Sequence, residues 1–287
     1  MKVNKKTMGI LYIILAALGF SFMTFFIRLS GDLPTMQKAF FRNAIAAGIA
    51  IYLLSKTEEK FRIKKTSWRD LILRAAFGTS GLIANFWAID HLRIADANIL
   101  NKMSPFFAII MSVFILREIP SKFEWGTIVL AFIGAIFVVK PSSGVASIPA
   151  IVGLLSGFGA GTAYTFVRKL GLKGERGPVI VMFFSAFSSL VTLPFFIINF
   201  KPMTAGQVIC LIMTGLSAAV GQLSITKAYT WAPAKEISVF DYTQVVFAAL
   251  LGIIFLGQIP DSYSLIGYII IIGTAVLKWY YNLKKEA

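Results

Sequence analysis

The chain contains two copies of one turn sequence, Leu116-Arg117-Glu118-Ile119-Pro120 and, 140 residues later, Leu256-Gly257-Gln258-Ile259-Pro260. Sliding the chain against itself by that distance, without a gap, aligns further identical residues. Glycine and arginine matches carry the most weight in an apolar chain because they punctuate helices; they include Gly19/Gly159, Gly81/Gly221 and Arg28/Arg168. The chain is therefore predicted to consist of two related units, residues 1–145 and 146–287.

The composition places both units in a lipid bilayer. Of the 287 residues, 57% are hydrophobic and 14% are charged, whereas about a quarter are charged in a typical soluble domain. Apolar runs long enough to span a membrane are predicted at residues 8–27, 35–54, 70–90, 94–116, 123–139, 149–168, 178–198, 205–228, 234–256 and 263–281. Five spans per unit turn the second unit upside down relative to the first. The predicted fold class is all-α integral membrane, with ten transmembrane helices in two inverted five-helix repeats, a recurring plan of secondary transporters.

The basic residues predict the orientation of the chain in the membrane. The net charge is +15, and 21 of the 28 Lys and Arg residues fall on the side of the N-terminus. This bias places both termini in the cytoplasm. The most basic stretch, Lys56 to Arg74, is assigned to the cytoplasmic connection between the second and third spans. Because the basic residues lie between apolar runs rather than on a soluble face, a nucleic-acid partner is not expected.

The five-plus-five arrangement and the two turns resemble the drug/metabolite transporter superfamily, in particular its EamA-type branch. The resemblance covers essentially the whole chain. It implies a ten-helix carrier in the bacterial cytoplasmic membrane, with a central cavity through which small amphipathic metabolites move by alternating access, and the family's tendency favours outward transport. Gln258 stands where Glu118 would be repeated, so Glu118 is given no transport role.

The fourth and ninth spans carry the polar residues that are hardest to explain by packing alone. Asn98, Asn101, Lys102 and Pro105 follow the spacing of one helix face. Ser238, Asp241 and Tyr242 repeat the first three positions 140 residues later. Lys102 lies about 12 Å into its span at 1.5 Å per residue, and Asp241 reaches a similar depth from the opposite side. The repeat is therefore expected to bring a cation and a carboxylate together near the membrane centre.

Two interpretations of this pair remain open. In the first, Lys102 attracts a substrate carboxylate and Asp241 takes an amino group or a coupling proton, because ionisable groups within a membrane usually mark a function. Hydrogen bonds from Asn98, Asn101, Tyr242 and Gln244 would then orient the ligand. In the second, Lys102 and Asp241 form a structural ion pair. Pro105 either frees a backbone carbonyl toward a cavity or produces a simple kink.

Further candidates for substrate contact come from the third, sixth and eighth spans. Gly78, Gly81 and Asn85 share a helix face, and the eighth span supplies an amide at Gln222. Close helix packing is the favoured interpretation of the small residues on this face, and it remains an alternative for the two amides. Trp87 and Tyr164 are candidates for stacking on an apolar part of the substrate, with an interfacial anchor as the alternative for Trp87.

The remaining polar and small-residue signals are assigned to movement or anchoring. A stripe of small residues in the sixth span, from Gly153 through Gly157 to Gly161, predicts close approach or sliding of helices. Arg28 and Arg168 end equivalent spans and are candidate gates, with snorkelling anchors as the alternative.

No motif indicates an enzyme, a cofactor or a metal. His91 has no second ligand at metal spacing, Cys210 is the single cysteine, and catalytic or nucleotide-binding signatures are not found. The sequence favours a secondary transporter, an exporter or exchanger, of small polar or zwitterionic metabolites such as amino acids. Its expected partners are a small-molecule substrate, the lipid bilayer and, as a candidate, a coupling proton; the oligomeric state is left open. Export of cationic or apolar drug-like compounds is the main alternative, and a membrane sensor without transport is a minor one.

Overall fold

The computed structural model describes residues 5–139, 147–231 and 238–286, and all regular elements in these ranges are helical. The helices are α1 (Lys5–Leu29), α2 (Thr35–Ser55), α3 (Trp68–His91), α4 (Ile94–Asn101), α5 (Ser104–Ile115), α6 (Lys122–Val139), α7 (Ile148–Leu172), α8 (Gly177–Ile198), α9 (Ala205–Trp231), α10 (Thr243–Leu256) and α11 (Ser262–Glu286). Short 3₁₀ turns, Lys65–Ser67 and Ser238–Tyr242, precede α3 and α10. The all-α membrane fold class predicted from the sequence is confirmed.

The sequence explains where several helices begin. Pro34 immediately precedes α2, and Pro149 and Pro178 lie in the first turns of α7 and α8. Proline suits these positions because the first turn of a helix has no internal acceptor for the missing N–H. The boundary between the two predicted units, at 145/146, and the predicted start of the ninth span, at 234, lie outside the described residues.

Within the described ranges, nine helical spans are long and apolar enough to cross a membrane. Large apolar side chains are exposed on the outside of the bundle, including Phe114 at 74% and Ile198 at 78%, as expected for contact with lipid. The 21-residue helix α2 is not among the nine spans, although it has the length to cross. Its buried polar side chains lower its apolarity; these are Gln37, Lys38, Arg42 and Asn43.

The helix pairs follow the sequence repeat. Helix α1 packs on α9, and α7, the equivalent of α1, packs on α3, the equivalent of α9. Contacts of α5 with α7 are matched in the same way by contacts of α10 with α1, while α2–α8 and α6–α11 join helices to their own equivalents, and α4 contacts α10, the equivalent of α5. The two units are thus related by an approximate two-fold arrangement.

The fourth span is broken, contrary to the continuous helix predicted for residues 94–116. Helix α4 ends at Asn101, Lys102 and Met103 form a turn, and α5 begins at Ser104. Pro105 lies in the first turn of α5, so it starts a new helix rather than kinking an existing one. The ninth span has a 3₁₀ segment, Ser238–Tyr242, at the equivalent place. Lys102 therefore lies in a break between two helices, and Asp241 and Tyr242 lie in the 3₁₀ segment that precedes α10.

The glycine stripe of α7 accommodates this break. A Cβ atom added to Gly157 would lie 2.7 Å from the carbonyl oxygen of Leu100, and one added to Gly161 would lie 2.5 Å from that of Ser104. Either contact is too short for a side chain. The stripe therefore lets α7 approach the exposed backbone between α4 and α5, in agreement with the packing role predicted for it.

The duplicated turns have the same local conformation. Arg117 and Gly257 both adopt left-handed backbone geometry, with φ of 58° and 62°. The following residue in each copy returns an N–H to the helix, from Glu118 to the carbonyl of Ser112 and from Gln258 to that of Gly252. In both copies the left-handed residue therefore ends the helix, and the next N–H closes the turn on a carbonyl six residues earlier. In the second copy, Oε1 of Gln258 also accepts the N–H of Ile94 at 3.0 Å and so caps α4.

Candidate substrate-binding cavity

A cavity of about 110 Å³ lies among helices of both units, beside the break in the fourth span. It is smaller than the roughly 300–1,000 Å³ of typical small-molecule sites, so we expect it to widen when a whole metabolite binds. Its polar and charged lining consists of Arg42, Arg74, Asn85, Asn101, Lys102, Tyr164, Gln222 and Gln244. The lining includes apolar and aromatic residues, among them Phe20, Met23, Leu82, Phe86 and Phe184.

Lys102 and Asp241 meet as the repeat predicted. The ammonium of Lys102 donates to Oδ2 of Asp241, and the two side chains are 9% and 17% exposed. The other carboxylate oxygen of Asp241, Oδ1, is buried and has no hydrogen-bond donor in the described structure. Such an oxygen has room for one more donor from a ligand or from a proton.

The broken backbone beside Lys102 is tied to the second unit. The hydroxyl of Tyr242 donates to the carbonyl oxygen of Lys102 at 3.0 Å. That carbonyl is available because the N–H of Phe106, which would bond to it in a continuous helix, bonds to Met103 instead. Tyr242 is buried and is not part of the cavity lining, so its visible contact positions the break rather than a ligand.

The predicted amides divide into two groups. The amide nitrogen of Asn98 donates to the hydroxyl of Thr24 at 3.2 Å, and Oδ1 of Asn98 accepts from Gln244 at 2.6 Å. Asn98 therefore lies one layer behind the cavity and holds Gln244, which lines it. Asn101 lines the cavity directly and donates to the hydroxyl of Ser156 at 3.0 Å. The single shared face predicted for this span is wrong because the helix ends at Asn101.

Two buried arginines in the cavity were missed by the sequence analysis. Arg42 on α2 and Arg74 on α3 are 4% and 5% exposed. Their guanidinium carbons lie 5.7 Å and 3.8 Å from the centre of the Phe184 ring. Nη1 of Arg42 donates to Oδ1 of Asn43 at 2.7 Å. Nε of Arg42, and both Nε and Nη1 of Arg74, have no acceptor in the described structure.

Burying two guanidinium groups without a carboxylate partner is energetically unfavourable. Removing one ion from water costs several kcal/mol in a protein interior, whereas a desolvated cation–π contact returns about 2 kcal/mol. Phe184 therefore does not offset two buried guanidinium groups. The assignment of Arg74 to a basic cytoplasmic connection is wrong, since Arg74 lies within α3 and faces the cavity. For Arg42, the sequence signal that could have indicated a buried polar site was the low apolarity of α2.

The other predicted contact residues are partly in the cavity. Asn85, Gln222 and Tyr164 line it, and Oδ1 of Asn85 is buried without a donor. Trp87 does not belong to the lining. Its ring stacks on His91 with centroids 4.0 Å apart near the end of α3, the position expected for the alternative role of an interfacial anchor.

Arg28, one of the two predicted gates, joins helix ends at one face of the bundle. Its Nη1 donates to the carbonyls of Ile89, at 2.8 Å, and Asp90. Lys38, fully buried, pairs with the Asp90 carboxylate at 2.6 Å. Helices α1, α2 and α3 are thereby fastened together where they end or begin, so Arg28 binds the end of a helix and does not simply extend into water.

Arg168, the repeat equivalent of Arg28, has a different environment. Its Nη2 pairs with Glu118 at 2.8 Å, and the arginine side chain is 62% exposed. The two predicted gates therefore make unequal contacts in this structure. Near α4, Arg93 pairs with Asp261 at 2.8 Å, and this hydrogen bond raises the pKa of the Arg93 guanidinium above its usual value.

A membrane-spanning helical bundle with a charged cavity beside a broken helix is typical of polytopic membrane transporters. The sequence model of the EamA-like transporter family matches this chain twice, at residues 7–140 and 147–279. The chain belongs to that family. It is accordingly a membrane transporter and not an enzyme.

Individual relatives cover nearly the whole chain. The pseudopaline exporter CntI of Pseudomonas aeruginosa is 34% identical over 93% of this chain and 94% of its own. A riboflavin transporter of Vibrio cholerae is 24% identical over 97% of this chain and 95% of its own. A protein with a crystal structure shares the fold, with a TM-score of 0.63 at 13% identity, over 95% of this chain and 99% of that one.

Proposed function

We propose that this transporter is a secondary carrier that exports or exchanges small zwitterionic metabolites, such as amino acids, by alternating access. The observation that carries the proposal is the Lys102–Asp241 pair, which joins the break between α4 and α5 to the 3₁₀ segment before α10. Lys102 also lines the cavity. A zwitterion presents a carboxylate to Lys102 and an ammonium to Asp241, so it replaces one ion pair by two.

Polar groups around the pair favour a ligand over a purely structural role. Oδ1 of Asp241 has no donor among the described residues, and the amides of Asn101 and Gln244 line the same cavity as Lys102. A structural pair in a dry bundle is expected to have its remaining lone pairs satisfied by protein groups. The free carboxylate oxygen is a site for the substrate ammonium or for a coupling proton.

The cationic-drug alternative is less well supported. It requires a cavity governed by Asp241 and aromatic residues, with Lys102 turned away. Instead Lys102, Arg42 and Arg74 all line the cavity, and Asp241 is already paired. A cationic ligand would meet this excess of positive charge. The outward direction is supported by the similarity to CntI of Pseudomonas aeruginosa, which is a pseudopaline exporter.

The proposal extends to the unit boundaries, orientation and coupling. The predicted units 1–145 and 146–287 would move against each other, with Arg28 and Arg168 as opposing gate residues.

Both termini are proposed to lie in the cytoplasm, which a reporter fused to the C-terminus would test. An imposed pH gradient would separate proton coupling at Asp241 from metabolite exchange, because only coupled transport responds to the gradient.

Counterflow in proteoliposomes tests the zwitterion site. Vesicles containing the full chain are loaded with an unlabelled amino-acid mixture, and entry of labelled glutamine is followed. Replacing both Lys102 and Asp241 with Asn is expected to remove most of the flux, because the two charges that hold the zwitterion are lost.

Asp261→Asn is the matched control. It removes the carboxylate of another ion pair, with Arg93, outside the cavity. Glutamine flux is expected to survive in this variant. Unchanged flux in the Lys102→Asn/Asp241→Asn protein would contradict the proposed site.

A further inference from the structure

We propose that Arg42 and Arg74 form a second, anion-binding subsite, so that the preferred substrate carries a carboxylate in addition to the zwitterionic amino-acid group. The inference rests on the proposed function, since it names the chemical class of the substrate in the same cavity. It adds a distinct recognition element that the repeat pattern does not contain: Met182 and Thr214 stand at the repeat positions of Arg42 and Arg74.

The first argument is the unsatisfied hydrogen-bonding capacity of the two guanidinium groups. Nε of Arg42 and Nε and Nη1 of Arg74 are buried and have no acceptor among the described residues, although both side chains line the cavity. Buried N–H groups are normally paired in folded proteins. A ligand oxygen is the acceptor that would complete them.

The charges of the cavity lining also favour an anionic ligand. Of the cavity-lining residues in the described ranges, the positively charged ones are Arg42, Arg74 and Lys102. Lys102 is neutralised by Asp241, whereas no carboxylate pairs with either arginine among the ion pairs of the described structure. The two guanidinium groups also repel each other. A bound anion would relieve that repulsion, so the cavity prefers a ligand with net negative charge.

The third argument is that the surroundings place the arginines where a ligand reaches them. Phe184 supports both guanidinium groups from one ring. Gly78, one turn after Arg74, leaves room for Nη1, since a Cβ there would lie 2.8 Å from it. Guanidinium groups present planar, paired donors that fit a carboxylate bidentately. The arrangement is thus a preformed anion subsite beside the zwitterion site.

Glutamate and glutamine form a matched pair of probes, because they differ by one carboxylate. In counterflow competition, glutamate is expected to compete at least about tenfold better than glutamine against labelled glutamate, since the amide leaves the guanidinium donors unpaired. Arg42→Gln and Arg74→Gln should bring that ratio close to one. Arg74→Lys, which keeps the charge and loses the planar fork, should give an intermediate ratio and guards against a folding defect in the Gln variants.

Glutarate, which has two carboxylates and no amine, separates the two proposals. Glutarate should raise the Tm of the detergent-purified protein, and should still do so in the Lys102→Asn/Asp241→Asn variant, because the arginines remain. Inorganic phosphate is the comparison anion.

If only the zwitterion site is wrong, glutamine flux will be unchanged in the Lys102→Asn/Asp241→Asn variant, while glutarate will still raise the Tm. Equal competition by glutamate and glutamine in the wild type would overturn the arginine subsite. A glutarate shift that persists in Arg42→Gln and Arg74→Gln would also overturn it, as would stabilisation by phosphate but not by glutarate.

Discussion

Gly159 packs directly against Gly81, so that a Cβ on Gly159 would lie 2.7 Å from the Cα of Gly81. The repeat-related residues make the same contact: a Cβ on Gly19 would lie 2.9 Å from the N atom of Gly221. Both contacts join the first helix of one unit to the third helix of the other. The two halves of the molecule are therefore held together by one close backbone contact that is used twice.

Replacing Gly159 with Ala is expected to destabilise the protein by about 1–3 kcal/mol, because the added methyl group meets backbone atoms that cannot turn away. The measurement is thermal unfolding of the purified protein. Gly48→Ala is the control, since a Cβ on Gly48 meets nothing within 4 Å. If the two variants have the same Tm, the contact does not limit the distance between α3 and α7.

These glycines illustrate what the sequence could predict. Each glycine in the matches Gly19/Gly159 and Gly81/Gly221 lies at a close helix contact that no larger residue allows. A lag of 140 residues therefore revealed the units, the equivalent helices and the meeting of Lys102 with Asp241. Repetition preserves positions, and positions on paired helices determine which side chains meet.

The cavity's arginines could not be found in this way. Arg42 and Arg74 have no charged repeat equivalents, and Arg74 follows a run of basic loop residues that it resembles in sequence. Their meeting depends on α2, α3 and α8 packing around Phe184, a tertiary arrangement without local signal. The break at Lys102 was also missed, because Pro105 is compatible with a kink, a helix start or a freed carbonyl.

The buried Lys38–Asp90 pair supplies a second prediction. Asp90→Asn leaves the fully buried ammonium of Lys38 without its carboxylate and should cost about 3–5 kcal/mol, as for other broken buried pairs. The double variant Lys38→Met/Asp90→Asn removes both charges and should recover much of that loss. Thermal unfolding of the two variants and of Lys38→Met alone completes the cycle. Additive effects of the single changes would show that the pair is not coupled.

The left-handed turn at Arg117 supplies a third. A non-glycine residue with φ of 58° is strained by about 1–2 kcal/mol, whereas glycine adopts this geometry freely. Arg117→Gly is therefore expected to raise the Tm. The increase should be small, because glycine also gives the unfolded chain more conformational entropy, which offsets part of the relieved strain. The reciprocal change, Gly257→Ala, places a Cβ at φ of 62° and should lower it. A lower Tm for Arg117→Gly would mean that contacts of the arginine outweigh the backbone strain.

Gly78 lies next to the proposed anion subsite but carries none of its charge. A Cβ at this position would lie 2.8 Å from Nη1 of Arg74 and 3.0 Å from Cε2 of Phe184. Gly78→Ala should therefore displace the guanidinium and reduce the preference for glutamate over glutamine several-fold, since a carboxylate clamp tolerates little misplacement. Counterflow competition measures the ratio.

Glutamine flux should persist in this variant, because the three atoms nearest to a Cβ at Gly78 belong to Arg74 and Phe184 and not to Lys102 or Asp241. Gly126→Ala on α6, where a Cβ meets nothing within 4 Å, is the control for adding a methyl group to a spanning helix. An unchanged ratio in Gly78→Ala would show that the position of Arg74 does not set the substrate preference. Loss of glutamate and glutamine flux together would show that the helix, rather than the subsite, had been disturbed.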